Sequence, residues 1–226
     1  MEKALIQDLD LYPLFLTIKI STIATIFSVI IGFLLAWLLA KKNFWGKNLL
    51  DALTMQPLII PPTVLGYYLL IILGKRGPVG KFFESVLGID LVFTWKGAVV
   101  AAMVASMPLF IKPAKAALES VDKNLENAAR LLGKSERQIL FTITLPLAWR
   151  GILAGAVLAF ARAAGDFGTT LMVAGNIPHK TQTLSIAIYD AVQSNNMIMA
   201  NTLVAIITVF SILVLYFVNR FTKGKY

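Results

Sequence analysis

The sequence contains no cysteine, and only 15% of its 226 residues are charged. The absence of cysteine excludes disulfides, thiolate metal sites and cysteine nucleophiles. Soluble domains carry about 25% charged residues, whereas this chain is 58% hydrophobic, with a mean hydropathy of +0.75. That balance indicates a protein whose solvent is lipid. The single histidine, His179, has no second histidine or acidic cluster at ligand spacing, so no metal site and no cofactor are predicted.

Long apolar runs are predicted to cross the bilayer as helices, because about 20 apolar residues span its core of about 30 Å. The runs comprise residues 20–40, 52–74, 97–111, 147–173 and 191–219. The third run crosses only if its helix continues past Pro108, and the fourth contains both Arg162 and Asp166. We therefore expect an all-α membrane protein, one domain over residues 1–226, with about five transmembrane helices and six as the upper count. Pro57, Pro61 and Pro62 are expected to kink the second span.

Charge is distributed unequally between the two sides that five spans define. With the N-terminus outside and the C-terminus in the cytoplasm, 13 basic residues lie inside and six outside. The inner set is Lys41, Lys42, Lys47, Lys112, Lys115, Lys123, Arg130, Lys134, Arg137, Arg150, Arg220, Lys223 and Lys225, and the outer set is Lys3, Lys75, Arg76, Lys81, Lys96 and Lys180. Basic residues favour the cytoplasmic side of a membrane protein. The net charge of +9 is thus explained by membrane topology, and no nucleic-acid partner is predicted.

The polar connection at about residues 119–145 has a helical pattern on the inner side. Its apolar residues recur at the spacing of one helix face; they are Leu125, Ala128, Ala129 and Leu132. The same spacing leaves Glu126 largely on the other, polar face. Gly133 is predicted to end this helix in a left-handed conformation. Ser135 and Gln138 have the spacing of a capping box that opens a second helix.

This connection also resembles a known signature. Asn127-Ala128-Ala129, three residues, Gly133, nine residues and Ile143-Thr144-Leu145-Pro146 are similar to the Glu-Ala-Ala-x3-Gly-x9-Ile-x-Leu-Pro loop of binding-protein-dependent ABC importer permeases. Asn127 departs from the pattern, which has glutamate there. An ordinary amphipathic linker would explain the periodicity but not the full spacing.

The resemblance implies a type I ABC importer permease fold with a cytoplasmic coupling helix that docks on an ATPase subunit. The residues implied in that coupling are Leu125, Glu126, Asn127, Ala128, Ala129, Arg130, Leu132, Gly133, Ile143, Leu145 and Pro146. The family assembles as a permease dimer, here a homodimer, with two cytoplasmic ABC ATPases and an extracytoplasmic binding protein in the prokaryotic inner membrane. The sequence has no phosphate-binding Gly-x4-Gly-Lys-Ser/Thr loop, so this chain is not expected to be an enzyme.

Further segments are similar to the molybdate branch of these permeases. They are residues 56–62, 66–77, 160–168 and 175–189. Sulfate and tungstate permeases share parts of them. The resemblance therefore implies inward transport of molybdate, with tungstate as a related anion and sulfate or thiosulfate as the alternative. A separate oxyanion-binding protein does most of the selecting in such systems.

Arg162 and Asp166 are the charged pair inside the fourth run, four residues apart on one predicted helical face. The pair has two interpretations: a structural ion pair, or a part of the translocation pathway together with Gly165, Gly168 and Thr169. A secondary transporter driven by an ion gradient would need internal repeats and more ionisable relays. An intramembrane enzyme would need a nucleophile and base at plausible spacing, and neither pattern is found.

Overall fold

The computed structural model describes residues 10–222, with side chains described through Tyr216, and every regular element in that part of the chain is helical. The elements are α1 Tyr12–Lys41, α2 Lys47–Ile59, α3 Pro62–Leu73, α4 Pro78–Leu87, α5 Trp95–Glu119, α6 Lys123–Leu131, α7 Glu136–Ile139, a π turn at Leu140–Thr144, α8 Leu145–Ala164, α9 Gly168–Ala174, α10 Leu184–Gln193 and α11 Met197–Thr222. The prediction of an all-α membrane protein is confirmed. Several charges counted for topology lie outside the described residues, and the side chain of Arg220 is not described. They are those of Lys3, Lys223 and Lys225.

Four helices are long and apolar enough to cross a membrane, and a bent pair of helices adds a fifth if it counts as one span. The four are α1, α5, the continuous helix Glu136–Ala164 and α11. The most buried of them is α5, which continues past Pro108 as its prediction required. It packs against α1 through small residues: a Cβ added to Gly32 would lie 2.6 Å from Phe110 Cδ1. Such close helix contacts are typical of membrane interiors.

The predicted second span, residues 52–74, is broken rather than continuous. The axes of α2 and α3 differ by 112°, and Ile60 and Pro61 between them are extended, with ψ of 135° and 136°. Consecutive prolines cause the break, because proline lacks the amide donor and disfavours a helical conformation in the residue before it. The predicted kink is therefore a complete interruption.

The bent pair nevertheless connects the two ends of the bundle. Near the start of α2, Asp51 accepts a hydrogen bond of 2.7 Å from Lys115, close to the C-terminal end of α5. At the other end, Leu73 packs in one apolar cluster with Leu91, just before α5 begins. Neither helix alone reaches the required 30 Å, since 12 or 13 residues extend about 20 Å. Together they are long and apolar enough for one span, bent by 112° at its centre.

The predicted fourth span, residues 147–173, is also wrong in its bounds. The continuous helix begins earlier, at Glu136, and ends at Ala164. Residues 165–167 leave the helix before α9 starts at Gly168. Asp166 therefore does not share a helical face with Arg162, as the spacing had predicted. The last span likewise starts later than residue 191, at Met197.

The two interruptions lie side by side. A Cβ added to Gly168 would lie 3.0 Å from the Cβ of Pro62, at the first residue of α3. One turn further along α3, a Cβ on Gly66 would lie 2.6 Å from the Cβ of Met172. The absence of side chains at both glycines is what lets α9 lie directly against α3. Irregular backbone of both spans thus meets within the bundle.

Candidate functional site

The polar connection folds as a helix with well-defined ends. Asp122 caps the start of α6 by accepting a hydrogen bond of 2.8 Å from the amide of Asn124. At the other end Gly133 is left-handed, with φ of +78°. The amides of Gly133 and Lys134 donate to the carbonyls of Arg130 and Ala129 at 2.9 and 3.1 Å. This is the Schellman pattern, which stops a helix and reverses the chain.

The second helix opens as the capping box predicted. Gln138 Oε1 accepts from the Ser135 amide at 2.8 Å, and Ser135 Oγ accepts from the Gln138 amide at 3.4 Å. The helix then continues without a break, through the π turn, into the membrane span. Pro146 explains the π turn, because its ring would clash with the carbonyl four residues earlier and it has no amide to donate.

Leucine side chains of the connection are exposed. Leu131 is 90% exposed, Leu132 82% and Leu125 49%. Within the described residues they are the apolar side chains that α6 and its C-terminal turn present to water. Ala128 is exposed beside them and lets a partner approach closely. Helical spacing predicted Leu125, Ala128 and Leu132 on this surface but missed Leu131, and it wrongly included Ala129, which is buried.

The bend between the two helices is braced by an exposed charge network. Arg130 donates to both carboxylate oxygens of Glu136, at 2.5 and 3.1 Å, and to the side-chain oxygen of Asn127 at 2.6 Å. The hydrogen-bonded carboxylate of Glu136 raises the pKa of Arg130. Asn127, the residue that departs from the signature, is therefore hydrogen-bonded to Arg130 of the same chain.

Glu126 does not lie on the outer polar face, and that prediction is wrong. Its side chain is only 6% exposed, and its Oε1 accepts from Lys41 Nζ and from Thr144 Oγ1, both at 2.7 Å. A buried carboxylate needs such partners, because burying an unpaired charge is costly. The sequence analysis missed Lys41 and Thr144 as site residues. They lie 85 and 18 positions from Glu126, and nothing in the sequence pattern connects residues so far apart. Thr144 is the last residue of the π turn.

The remaining signature residues continue into the span. Ile143 lies within the π turn, and Leu145 and Pro146 open α8. Ala129 is buried against the bundle. Next to this region a cavity of about 600 Å³ is lined by five basic and three acidic side chains. The basic ones are Lys41, Lys42, Lys47, Lys123 and Arg130.

The second candidate cluster lies at the break after α8. Asp166 is 2% exposed; its Oδ1 accepts from Arg162 at 3.0 Å, and its Oδ2 accepts from the Thr170 amide and hydroxyl at 2.9 and 2.7 Å. Asp166 therefore holds Arg162 and also caps α9. Thr169 is fully buried, and its hydroxyl has no hydrogen-bond partner among the residues that the structure describes.

The glycines of this cluster differ in surroundings. Gly168 is buried against Pro62, as described above, whereas Gly165 is exposed. A groove of about 290 Å³ runs between the end of α8 and α11 and includes Gly165. The structure thus brings Arg162, Gly165 and Asp166 together at one interruption. No group of three or more potential metal ligands occurs in the part of the chain that the structure describes.

The fold is shared with known transporters. The inward-facing MetNI methionine ABC transporter includes a chain that superposes with a TM-score of 0.73 over 93% of each chain, at 18% identity. The helical bundle therefore has the same fold as a chain of that ABC transporter. Residues 17–224 match the family model of binding-protein-dependent transport system inner membrane components. The chain belongs to this family, whose members work with ATPase subunits and a binding protein.

Two relatives, a molybdenum permease and a sulfate permease, can be compared with this chain. The molybdenum transport system permease protein ModB of Escherichia coli K12 is 44% identical over 190 residues, which cover 84% of this chain and 83% of that protein. The sulfate transport system permease protein CysT of Salmonella typhimurium is 32% identical over 90% of this chain and 73% of its own length. The chain is an ABC importer permease subunit, and it is more similar to the molybdenum permease than to the sulfate permease.

Proposed function

We propose that this chain carries molybdate, and tungstate as a related anion, into the cytoplasm by alternating access. The observation that supports the substrate is the difference in identity, 44% to the molybdenum permease against 32% to the sulfate permease. Sulfate or thiosulfate transport is the competing function. The chain itself is proposed to be non-catalytic, with ATP hydrolysed on two partner ATPase subunits.

The interruptions of two spans are the proposed pathway. Broken helices at membrane depth commonly form the substrate sites of transporters, because their free backbone groups can face a passing ligand. Arg162 is one quarter exposed at its side chain and supplies the positive potential that a dianion needs. Gly165 contributes a small exposed surface, whereas the buried Gly168 and Thr169 support the wall of the pathway from within the bundle. Asp166 is the residue that holds this arrangement.

A homodimer is proposed because one copy does not enclose this pathway. Gly165 is exposed on the surface of a single chain, and so is the groove beside it. A second copy facing this surface would convert it into a channel between two subunits. Symmetric dimers with a two-fold axis are the commonest oligomers.

The connection around α6 is the proposed coupling element, at about residues 119–145. Exposed leucines can fill a groove on an ATPase, as amphipathic helices do on their partners. The braced bend makes the element stiff enough to follow the motion of that partner. When the ATPases close on ATP, the two elements of the dimer would move together and the pathway would open outward. Release of the hydrolysis products would return it to the inward-facing state.

The proposed orientation places α6 in the cytoplasm, the N-terminus outside and the C-terminus inside a prokaryotic inner membrane. At one end of the bundle, Lys41 is hydrogen-bonded to Glu126 of α6, and Lys115 is hydrogen-bonded to Asp51. This is the end at which the basic residues concentrate. The opposite end joins the first part of α1 to the start of α10, through a hydrogen bond of 2.8 Å from the Leu184 amide to Thr17 Oγ1.

Single-cysteine labelling tests the orientation cleanly, because the natural chain has no cysteine. We expect a membrane-impermeant maleimide to label the Lys180→Cys variant in intact spheroplasts and the Lys134→Cys variant only in inverted vesicles. Both positions are exposed. Labelling of each variant in detergent is the control for reactivity. Labelling of Lys134→Cys from outside the cell would contradict the orientation.

Transport by the complete complex tests the substrate. The permease, its ATPases and its binding protein are reconstituted in proteoliposomes with ATP inside, and uptake of labelled molybdate is measured. We expect ATP-dependent uptake that excess unlabelled molybdate or tungstate suppresses by at least tenfold and excess sulfate leaves largely unchanged. Uptake of sulfate alone would overturn the molybdate assignment, and uptake without ATPases would favour a secondary transporter.

A further inference from the structure

Three separate segments meet at the carboxylate of Glu126. It belongs to α6, its first partner Lys41 is the last residue of α1, and its second partner Thr144 ends the π turn below α8. The side chains of Glu126 and Lys41 are 6% and 18% exposed. Lys41 is thus held to a carboxylate 85 positions away in sequence, at the boundary between the membrane helices and the polar loop.

We propose that Lys41, Glu126 and Thr144 form a clamp that makes α6 move as one body with the first and fourth spans. This inference rests on the proposed role of α6 as the coupling helix. Glu126 is then a positioning residue: it faces the bundle and holds α6 to it, while the exposed leucines face the ATPase. The clamp transmits the displacement of α6 to the helices that surround the pathway.

The burial pattern of α6 explains why a clamp is required. Among its nine residues only Glu126 and Ala129 are buried. A single alanine offers little apolar area to hold a helix that a partner pulls on. The other ion pair of this region, between Arg130 and Glu136, is largely exposed and joins α6 only to the adjacent α7. Within the described residues, the ion pair of Glu126 with Lys41 is therefore the main attachment of α6 to the first span, α1.

The π turn directs Thr144 to this role. A threonine hydroxyl in a helix usually donates to the carbonyl of its own helix four residues earlier, as Thr142 does to Gln138 at 2.7 Å. Thr144 instead donates to Glu126. The wider π turn places an additional residue in that turn and so changes the direction of the side chains around it. A π turn next to a proline thus has a function beyond accommodating the proline.

The clamp is tested by the coupling ratio, the number of anions taken up per ATP hydrolysed in the reconstituted complex. We expect Glu126→Gln and Lys41→Met to lower this ratio at least tenfold while ATP hydrolysis continues and the complex still assembles on size-exclusion chromatography. Thr144→Val removes one hydroxyl with little change of shape and is expected to lower the ratio about threefold. A residue with only a structural role would reduce assembly and both activities together.

Matched controls lie beside each position. Lys42→Met alters the neighbouring lysine, which lies over the Trp37 ring rather than on Glu126, and Thr142→Val alters a hydroxyl that bonds within its own helix. Both are expected to keep the wild-type ratio. The exchange Lys41→Glu with Glu126→Lys restores opposite charges and is expected to recover at least half of it.

The outcomes separate the clamp from the function on which it rests. A wild-type ratio in Glu126→Gln or Thr144→Val overturns the clamp and leaves the transporter assignment intact. If Glu126→Gln fails to assemble, Thr144→Val and the charge exchange decide. A wild-type complex that shows no ATP-dependent oxyanion uptake contradicts the proposed function itself. If it carries sulfate instead of molybdate, the same ratio is measured with sulfate.

Discussion

Replacing Leu131 and Leu132 together with glutamate is expected to abolish ATP-dependent uptake. The two side chains are 90% and 82% exposed in the isolated chain, so the substitutions remove no internal packing. Burial of a leucine contributes about 1.5–3 kcal/mol, so loss of both from a docked surface weakens binding by about a hundredfold or more. Two carboxylates forced into an apolar groove add a desolvation cost. We expect ATPase subunits to be lost when the complex is purified through the permease.

The conservative replacement of both leucines with methionine is the matched control, since it keeps apolar volume at the same positions. It should retain the ATPases and most of the uptake. The thermal stability of the permease without its partners should be the same in both variants. Retention of the ATPases in the double glutamate variant would contradict the docking surface, whereas a common loss of permease stability would mean that the leucines pack within the membrane subunit.

Local signals in the sequence predicted the conformation of the bent connection around Gly133 well. Gly133 adopts the left-handed conformation, and Ser135 and Gln138 form the capping box. Helix ends depend on the few residues around them, so their chemistry can be recognised without knowing the rest of the fold. The same reasoning failed for Glu126. Helical periodicity assigns a charged residue to the solvent side, and only contacts with Lys41 and Thr144 make its burial favourable.

The membrane spans were predictable in number but not in continuity. Hydropathy measures whether a segment prefers lipid, and the two halves of the bent pair around Pro61 together meet that criterion. It cannot distinguish a kink from a break, because the free backbone groups are satisfied by neighbours that the sequence pattern does not identify. The break after Ala164 was missed for a related reason. Gly165 and Asp166 were assigned to a continuous helix on spacing, whereas Asp166 caps the next helix.

The two interruptions have a common consequence. Gly168 and Gly66 let α9 lie directly on α3, so a displacement of either helix must displace the other. The helix that contains Arg162 is continuous down to Glu136, next to the proposed coupling element. Motion imposed on that element would therefore reach the proposed pathway along one helix and across one close contact.

The second large effect is expected for Asp166→Ala. The substitution removes an acceptor of three hydrogen bonds, which leaves Arg162 unpaired and α9 without its cap. Breaking a buried ion pair on one side costs about 3–5 kcal/mol. For a chain of this size we expect the thermal transition of the purified complex to fall by about 10 °C.

A double variant separates the two interpretations of this pair. Arg162→Met combined with Asp166→Ala removes the unpaired charge, so it should regain several degrees of the lost stability. If Arg162 also attracts the anion, uptake by the double variant must stay at least tenfold below wild type despite that recovery, because the variant lacks the positive charge at position 162. Uptake that recovers together with stability would show a purely structural pair and would remove Arg162 from the pathway. Measuring both quantities on the same preparation therefore decides whether the charge is present for the fold or for the substrate.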